Sequence, residues 1–331
     1  MNKFSINILR LFRKFYRSNL YNPNYLKNIY IKDKKFIKDK YLVNDEISKI
    51  LLSNKPCFIS RFGRNELNLV RNYLGIKKKK ISYFKFISDQ EPANWLEIPL
   101  LKKMSIESGF FHEDMKSVEK FSEIYLENLQ HIDLLGVYMR SPHLENYFAK
   151  YIDKSKKVDI ENLAPFFTKN PWTLALEGKK VLIIHPFSDL IESQYKKRDN
   201  LFANKILPDF KLYTFAPINS VKGEKIIFNS WFEALESMKL SICKIDFDIA
   251  LIACGAYGLP LGGYIKSLGK KAFHLGGPLQ LLFGIIGERW IDYKYSKSGY
   301  QYNQLFNSHW VRPSNKDRPK NAKNIEHGAY W

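Results

Sequence analysis

The sequence has little of what would mark a membrane span, a disulfide scaffold or a metal cluster. No apolar run reaches the roughly 18 residues that a helix needs to cross a bilayer. There are only three cysteines, Cys57, Cys243 and Cys254, and no two of them form a CxxC pair. Each sits in or beside an apolar run and reads as a buried free thiol of a reducing compartment. HExxH, paired-aspartate spacing and Cys clusters are all missing, so the residues suit metal catalysis poorly. No zinc-finger, helix-turn-helix or RRM-type motif occurs, and there is no fixed-period repeat or low-complexity tract.

What is there is enough for a core. In 331 residues, 45% are hydrophobic and 15% aromatic, which excludes disorder for most of the chain and allows two modest domains or one large α/β domain with insertions. The formal net charge is +20. Two readings fit it: a polyanionic partner such as nucleotide, anionic lipid or nucleic acid, or lysines spread over solvated surface. Residues 1–21 mix Phe4, Ile8, Leu11, Phe12 and Phe15 with Arg10, Arg13, Lys14 and Arg17 and lack a signal-peptide core. They read either as a basic amphipathic helix on an anionic membrane surface or as a helix packed on its own domain.

Strand, loop, helix units recur along the chain. Lys55 to Ser60 is the first expected strand, running into Arg61-Phe-Gly-Arg-Asn-Glu66 and a helix whose stripe of Leu67, Val70 and Leu74 stops at Gly75. Asp45 to Leu52 reads as a helix, after a Lys- and Tyr-rich connector over 22–40. Tyr83 to Phe111 reads as irregular, and Asp114 to Leu129 as an amphipathic helix. Ile132 to Met139 is a strand ending at Arg140-Ser-Pro142, from which helix resumes, and 153–159 is a candidate boundary between halves. Val181 to Ile184 and Lys211 to Phe215 are strands; Asp189 with Glu192 and Ser230 with Glu233 have capping-box spacing. The most complete unit spans Asp246 to Gly277: an apolar strand to Cys254, a Gly255-Ala-Tyr-Gly258 turn, a helix with Pro260 near its start and Gly269 at its left-handed cap, and a strand through His274 closed by Gly276-Gly277.

If these strands share one parallel sheet, three exits meet at its carboxyl edge: Arg61 to Glu66, His185 to Asp189, and His274 to Gly277. A carboxylate, two arginines and two histidines there suit a phosphorylated ligand, with arginines on phosphates and a carboxylate as base. Glu66 is also explained as a carboxylate favoured in a first helical turn, His185 and His274 as satisfied core histidines, and the glycines as packing positions. The aromatic tail, including Trp290, Trp310 and Trp331, reads as packed on the domain.

Ile59-Ser-Arg-Phe-Gly-Arg-Asn-Glu-Leu67 resembles the strand-loop-helix signature of bacterial glycosyltransferases of the GT-D fold, whose loop carries Arg-Phe-Gly-Asp-x-Glu. The stretch from Ile249 to Gly277 is similar to that family's final βαβ crossover, and the likeness covers roughly residues 50 to 290. It implies a Rossmann-like, mostly parallel α/β catalytic domain over 45–290, flanked by a basic extension over 1–44 and an aromatic and polar tail over 291–331. It implies transfer of a sugar from a nucleotide-sugar donor to a lipid-linked or surface glycan acceptor, in the cytoplasm, with peripheral contact to the inner membrane face open through residues 1–21. Glu66 occupies the motif's Glu position and Arg64 its Asp position. An arginine does not ligate Mn²⁺ or Mg²⁺, so no metal ligand is assigned, the choice between metal-independent and weakly metal-dependent transfer stays open, and Arg64 with Arg61 is expected to meet the donor diphosphate directly. From the strand exits and the resemblance together, Glu66, Arg64 and His185 are the catalytic candidates. Arg61, Gly63, Asn65, Gly255, Tyr257, Gly258, His274, Gly276 and Gly277 are the donor-binding ones. The alternatives are a non-catalytic nucleotide or sugar-phosphate binding protein of the same fold and a nucleic-acid-associated basic protein, although no nucleic-acid partner is expected.

Overall fold

The computed structural model describes residues 3–20, 33–78, 80, 82–111, 113–138, 145–222, 224–291 and 300–331. Of the segments read from sequence, 21–32 of the N-terminal connector, Arg140-Ser-Pro142 and 292–299 of the tail lie outside them. The elements follow in chain order: α1 (Lys3–Asn19), β1 (Phe36–Ile37), α2 (Lys40–Leu52), β2 (Cys57–Arg61), α3 (Arg64–Lys77), α4 (Tyr83–Ile87), α5 (Ile98–Lys103), α6 (Met115–Leu129), β3 (Leu134–Val137) and β4 (Lys156–Asp159). Then come β5 (Lys180–Ile184), α7 (Ser188–Tyr195), α8 (Arg198–Leu201), β6 (Lys211–Phe215), α9 (Trp231–Ile242), β7 (Ile249–Ile252), α10 (Gly258–Ser267), β8 (Lys271–His274) and α11 (Pro278–Leu282).

All eight strands form one sheet in the order β1-β4-β3-β2-β8-β7-β5-β6, and every pairing is parallel. The chain is therefore α/β and Rossmann-like, as the sequence predicts. Parallel strands are covered on both faces, which is why β5 and β7 read as unbroken apolar runs. Their side chains alternate between two cores. Phe58, Leu182, Ile184, Ala250 and Ile252 join the core under α3, α6, α9 and α10. Ile59, Val181, Ile183, Ile249, Leu251 and Phe273 join the core under α2, α7, α11 and the tail.

Several boundaries differ from expectation for identifiable reasons. Asp39 accepts hydrogen bonds from the Tyr41 and Leu42 N–H groups, so α2 begins at Lys40 instead of near Asp45. Helix α3 runs through Gly75 to Lys77, and a Cβ at 75 would lie 2.3 Å from the Ala93 carbonyl oxygen. The glycine there admits a loop and does not end the helix. Residues 83–111 carry α4, α5 and a π-helical turn at Met104–Ser108. Residues 156–159, within the candidate boundary, supply β4 to the sheet. Asp189 does not cap α7, whose N-cap is Phe187, and Glu192 instead accepts a hydrogen bond from Thr214. Ser230 does cap α9, accepting from the Glu233 N–H at 3.1 Å. Cys57 and Cys254 are buried, but Cys243, at the end of α9, is exposed.

The final βαβ unit packs unusually close to the sheet. Gly262 lies against the Phe58 ring, where a Cβ would come within 2.1 Å, and Gly263 against the Asn128 amide. Replacing Gly262 by Ala should push α10 off β2 and destabilise the fold by about 1–3 kcal/mol, read as a lower denaturation midpoint at unchanged m-value.

Candidate functional site

β2 ends in a loop that starts α3, and the loop's geometry follows from its glycine. Gly63 is the N-cap of α3 and Glu66 its third residue, so the Glu66 side chain folds back over the helix start. A Cβ at Gly63 would fall 1.9 Å from a Glu66 carboxylate oxygen, so a side chain at 63 would displace that carboxylate. Glu66 is 7% exposed. Burial raises its pKa above the usual carboxylate range, against the pull of its own backbone N–H, Ser108 and Arg61, while Glu107 adds to the rise.

The two arginines converge on a residue that the sequence reading passed over. Arg61 Nη2 donates to the Tyr138 hydroxyl at 2.7 Å, and that hydroxyl donates to the Phe62 carbonyl oxygen at 3.0 Å. The guanidinium carbons of Arg61 and Arg64 stand 5.9 and 5.6 Å from the Tyr138 ring centroid. The signal available for Tyr138 is its position just beyond β3, a further strand exit. Asn65 is committed elsewhere, its amide donating to Glu107 at 2.8 Å and to Ser108 at 3.3 Å.

These groups line a cleft of about 1240 Å³ at the carboxyl edge of the sheet, into which the exits of β5, β7 and β8 also open. His185, His274, Gly255, Tyr257, Gly276 and Gly277 all reach it. Their local contacts separate those with a packing role. Gly255 has φ +56°, and a Cβ there would meet the Ser108 carbonyl oxygen at 2.7 Å. Tyr257 is stacked flat on Trp231 at 4.8 Å, its hydroxyl 2.8 Å from Ser220 Oγ. Gly258 does not line the cleft, and a Cβ on it would lie 2.5 Å from His274 Nε2. Gly276, at φ +70°, passes Arg61, and Gly277 faces Trp290 and Tyr330.

Both histidines are buried and neutral. His185 Nδ1 accepts the Phe187 N–H at 2.9 Å, and His274 Nδ1 lies 3.2 Å from Ser60 Oγ. Burial lowers each pKa from 6.5 to about 3, with Arg61 adding to the effect at His274. The tail supplies cleft residues that no periodic pattern announced: Lys316, Arg318, Tyr330 and Trp331, with Arg289 paired to Glu326. The only sequence cue was basic and aromatic composition. Trp310 is core, its indole N–H donating to the Leu201 carbonyl oxygen at 2.7 Å.

A divalent ion asks for several oxygen ligands at one point. Around Glu66 the side chains do not form such a set. Arg64 presents a cation two residues before it, Glu66 is folded onto Gly63, and Glu107 is held by Asn65 and Lys103. Among the described residues, no three His, Cys, Asp or Glu side chains group as a metal-ligand set.

No protein-family profile matches the chain, and no curated protein matches it by sequence. Two solved structures are similar to it. One is a selenomethionine-substituted domain of unknown function 1792, at 13% identity; the other is that domain described as having a distinct glycosyltransferase fold, at 11% identity. Each alignment covers 89% of this chain and 96% of the other, at a TM-score of 0.43.

The two histidines set an acid limit. Their folded-state pKa values lie below the unfolded value, so the stability they contribute is complete above about pH 6.5 and is lost as pH falls toward 3. The unfolding midpoint should fall steeply across that window, and substituting His185 by Gln should flatten the slope in a pH series of denaturant titrations.

Proposed function

We propose that the chain is a glycosyltransferase that takes a nucleotide-sugar donor in this cleft. The observation that carries the reading is the pairing of a buried carboxylate of raised pKa, Glu66, with two arginines held against Tyr138 at the carboxyl edge of an all-parallel sheet. Charge in such a transfer develops at two places, and the residues answer both. As the bond from the sugar's anomeric carbon to the diphosphate oxygen breaks, the leaving nucleoside diphosphate gathers negative charge, which Arg64 and Arg61 neutralise. As the bond from that carbon to the acceptor oxygen forms, the acceptor hydroxyl gives its proton to the Glu66 carboxylate, whose desolvation makes it a stronger base. Gly276 and Gly277 form the wall on which the donor nucleotide rests, with Arg318 and Trp331 closing over it from the tail.

His185 supports this chemistry as a neutral group and not as a base, since burial holds it unprotonated and its Nδ1 is occupied. Gly255 and Tyr257 shape the floor by packing. The acceptor is a glycan or lipid-linked saccharide, and peripheral contact with an anionic membrane belongs to the same reading. Phe4, Leu11, Phe12 and Phe15 lie exposed along one face of α1. Among the described residues, no helix is long and apolar enough to cross a membrane.

Replacing Glu66 by Gln should leave donor binding intact and lower transfer by about 10²–10⁴-fold, measured as product release from UDP-, CDP- and GDP-sugars in turn. An unchanged rate removes Glu66 from the mechanism. The same variant should be more stable than the parent at neutral pH. A raised folded-state pKa gives stability that is complete below the unfolded pKa and is lost as pH rises through the folded one, so the difference should shrink in acid. Turnover should also persist in EDTA; abolition by the chelator with recovery in Mn²⁺ would mean that the arginines do not stand in for an ion.

A further inference from the structure

A second cavity, of about 480 Å³, opens between α1, α3 and α5. Its lining is strongly one-signed: Arg10, Arg13, Lys14 and Arg17 from α1, Arg71 from α3 and Lys103 from α5, against one lining carboxylate, Glu97. Behind them Asp89, held at φ 63°, is the anchor for three guanidiniums. It binds Arg13 closely, Arg17 at 2.7 Å and Arg71 at 3.5 Å, and its carbonyl oxygen accepts from Arg71 Nη2 at 2.9 Å. Glu97 is taken by Arg10 at 2.8 Å.

This arrangement exceeds what a clamp for α1 requires. One aspartate compensates one of the three charges around it. Arg71 is 3% exposed, yet its Nε has no hydrogen-bond partner, and the Arg13 Nε is buried in the same condition. Leaving such donors unsatisfied is costly. Burial lowers the pKa of Arg71 to about 10 and that of Arg13 in the same direction, with Asp89 opposing both and the neighbouring arginines adding to the fall. A compact oxyanion with several acceptor oxygens answers the cationic lining, since guanidinium forks match phosphate geometry.

Arg64, Asn65 and Lys103 line both this cavity and the donor cleft, so an anion here lies one wall of side chains from Glu66. We infer that the cavity is a second anion site, which holds the phosphate or diphosphate of the acceptor while the donor occupies the cleft. The inference rests on the transferase reading for the acceptor's role, whereas the site itself rests on the arginine cluster. The exposed apolar face of α1, the helix that roofs the cavity, suits a phosphate carried on a lipid.

The test is calorimetric titration of the full chain with inorganic pyrophosphate, then with UDP, CDP and GDP. Lys14→Gln combined with Arg17→Gln alters the open rim and leaves Arg13 and Arg71 on Asp89; circular dichroism checks the fold. The expected result is a pyrophosphate site weakened about tenfold or more in the double variant, with nucleoside diphosphate binding unchanged. Pyrophosphate binding that is the same in parent and double variant overturns the cavity site. Failure of every nucleoside diphosphate to bind overturns the donor reading and leaves the cavity standing. Co-sedimentation with phosphatidylcholine vesicles, with and without about 20 mol% phosphatidic acid, separates the sources. Retention that pyrophosphate displaces assigns the site to a lipid phosphate, and pyrophosphate binding without retention assigns it to a soluble phosphate ester.

Discussion

The pairing of β2 with β8 is the contact on which the site depends. It sets Cys57 beside Lys271 and Ile59 beside Phe273, so segments more than two hundred residues apart finish at one edge of the sheet. The loop of Arg61 to Glu66 and the turn of Gly276-Gly277 face each other for that reason alone. The close seating of α10 on Phe58 holds the pairing from one face, and Trp172, its ring tilted against Phe273 at 4.8 Å, holds it from the other. Because the backbone is hydrogen-bonded across the pair and both faces are dry, the two loops are presented by rigid strands.

Desolvation at this edge sorts the titratable groups. The same low dielectric that raises the Glu66 carboxyl lowers the two imidazoles, so it favours the proton on the carboxyl and the neutral form of both histidines. Guanidiniums tolerate such a setting because they stay charged when buried, and Tyr138 provides a ring and a hydroxyl for them.

How much of this was legible follows from how local each signal is. Apolar runs marked β5 and β7 because strands buried on both faces must be apolar throughout, and Gly269 marked the end of α10 because its φ of +77° is a local requirement. Gly75 misled because a glycine inside a helix and one at its end look alike until the loop that presses on it is known. Gly255 and Gly258 likewise read as places for a ligand to approach, whereas Ser108 and His274 occupy the space beside them. Asp89, Tyr138 and the tail residues Arg318 and Trp331 gave little warning, since their importance lies in partners distant in sequence. That Arg61, Arg64 and Glu66 stand together could be read from the sequence because five consecutive backbone steps fix their relation.

The contact between Gly63 and Glu66 also ties two positions into one unit of inheritance. Any side chain at 63 forces the carboxylate out of its pocket, and any shorter residue at 66 frees the glycine from its constraint. The two positions are therefore epistatic. Under selection for the present carboxylate position, a library that randomises residue 63 alone would favour glycine, whereas one that varies both together would admit other residues at 63 in the same clones that have given up the acid at 66.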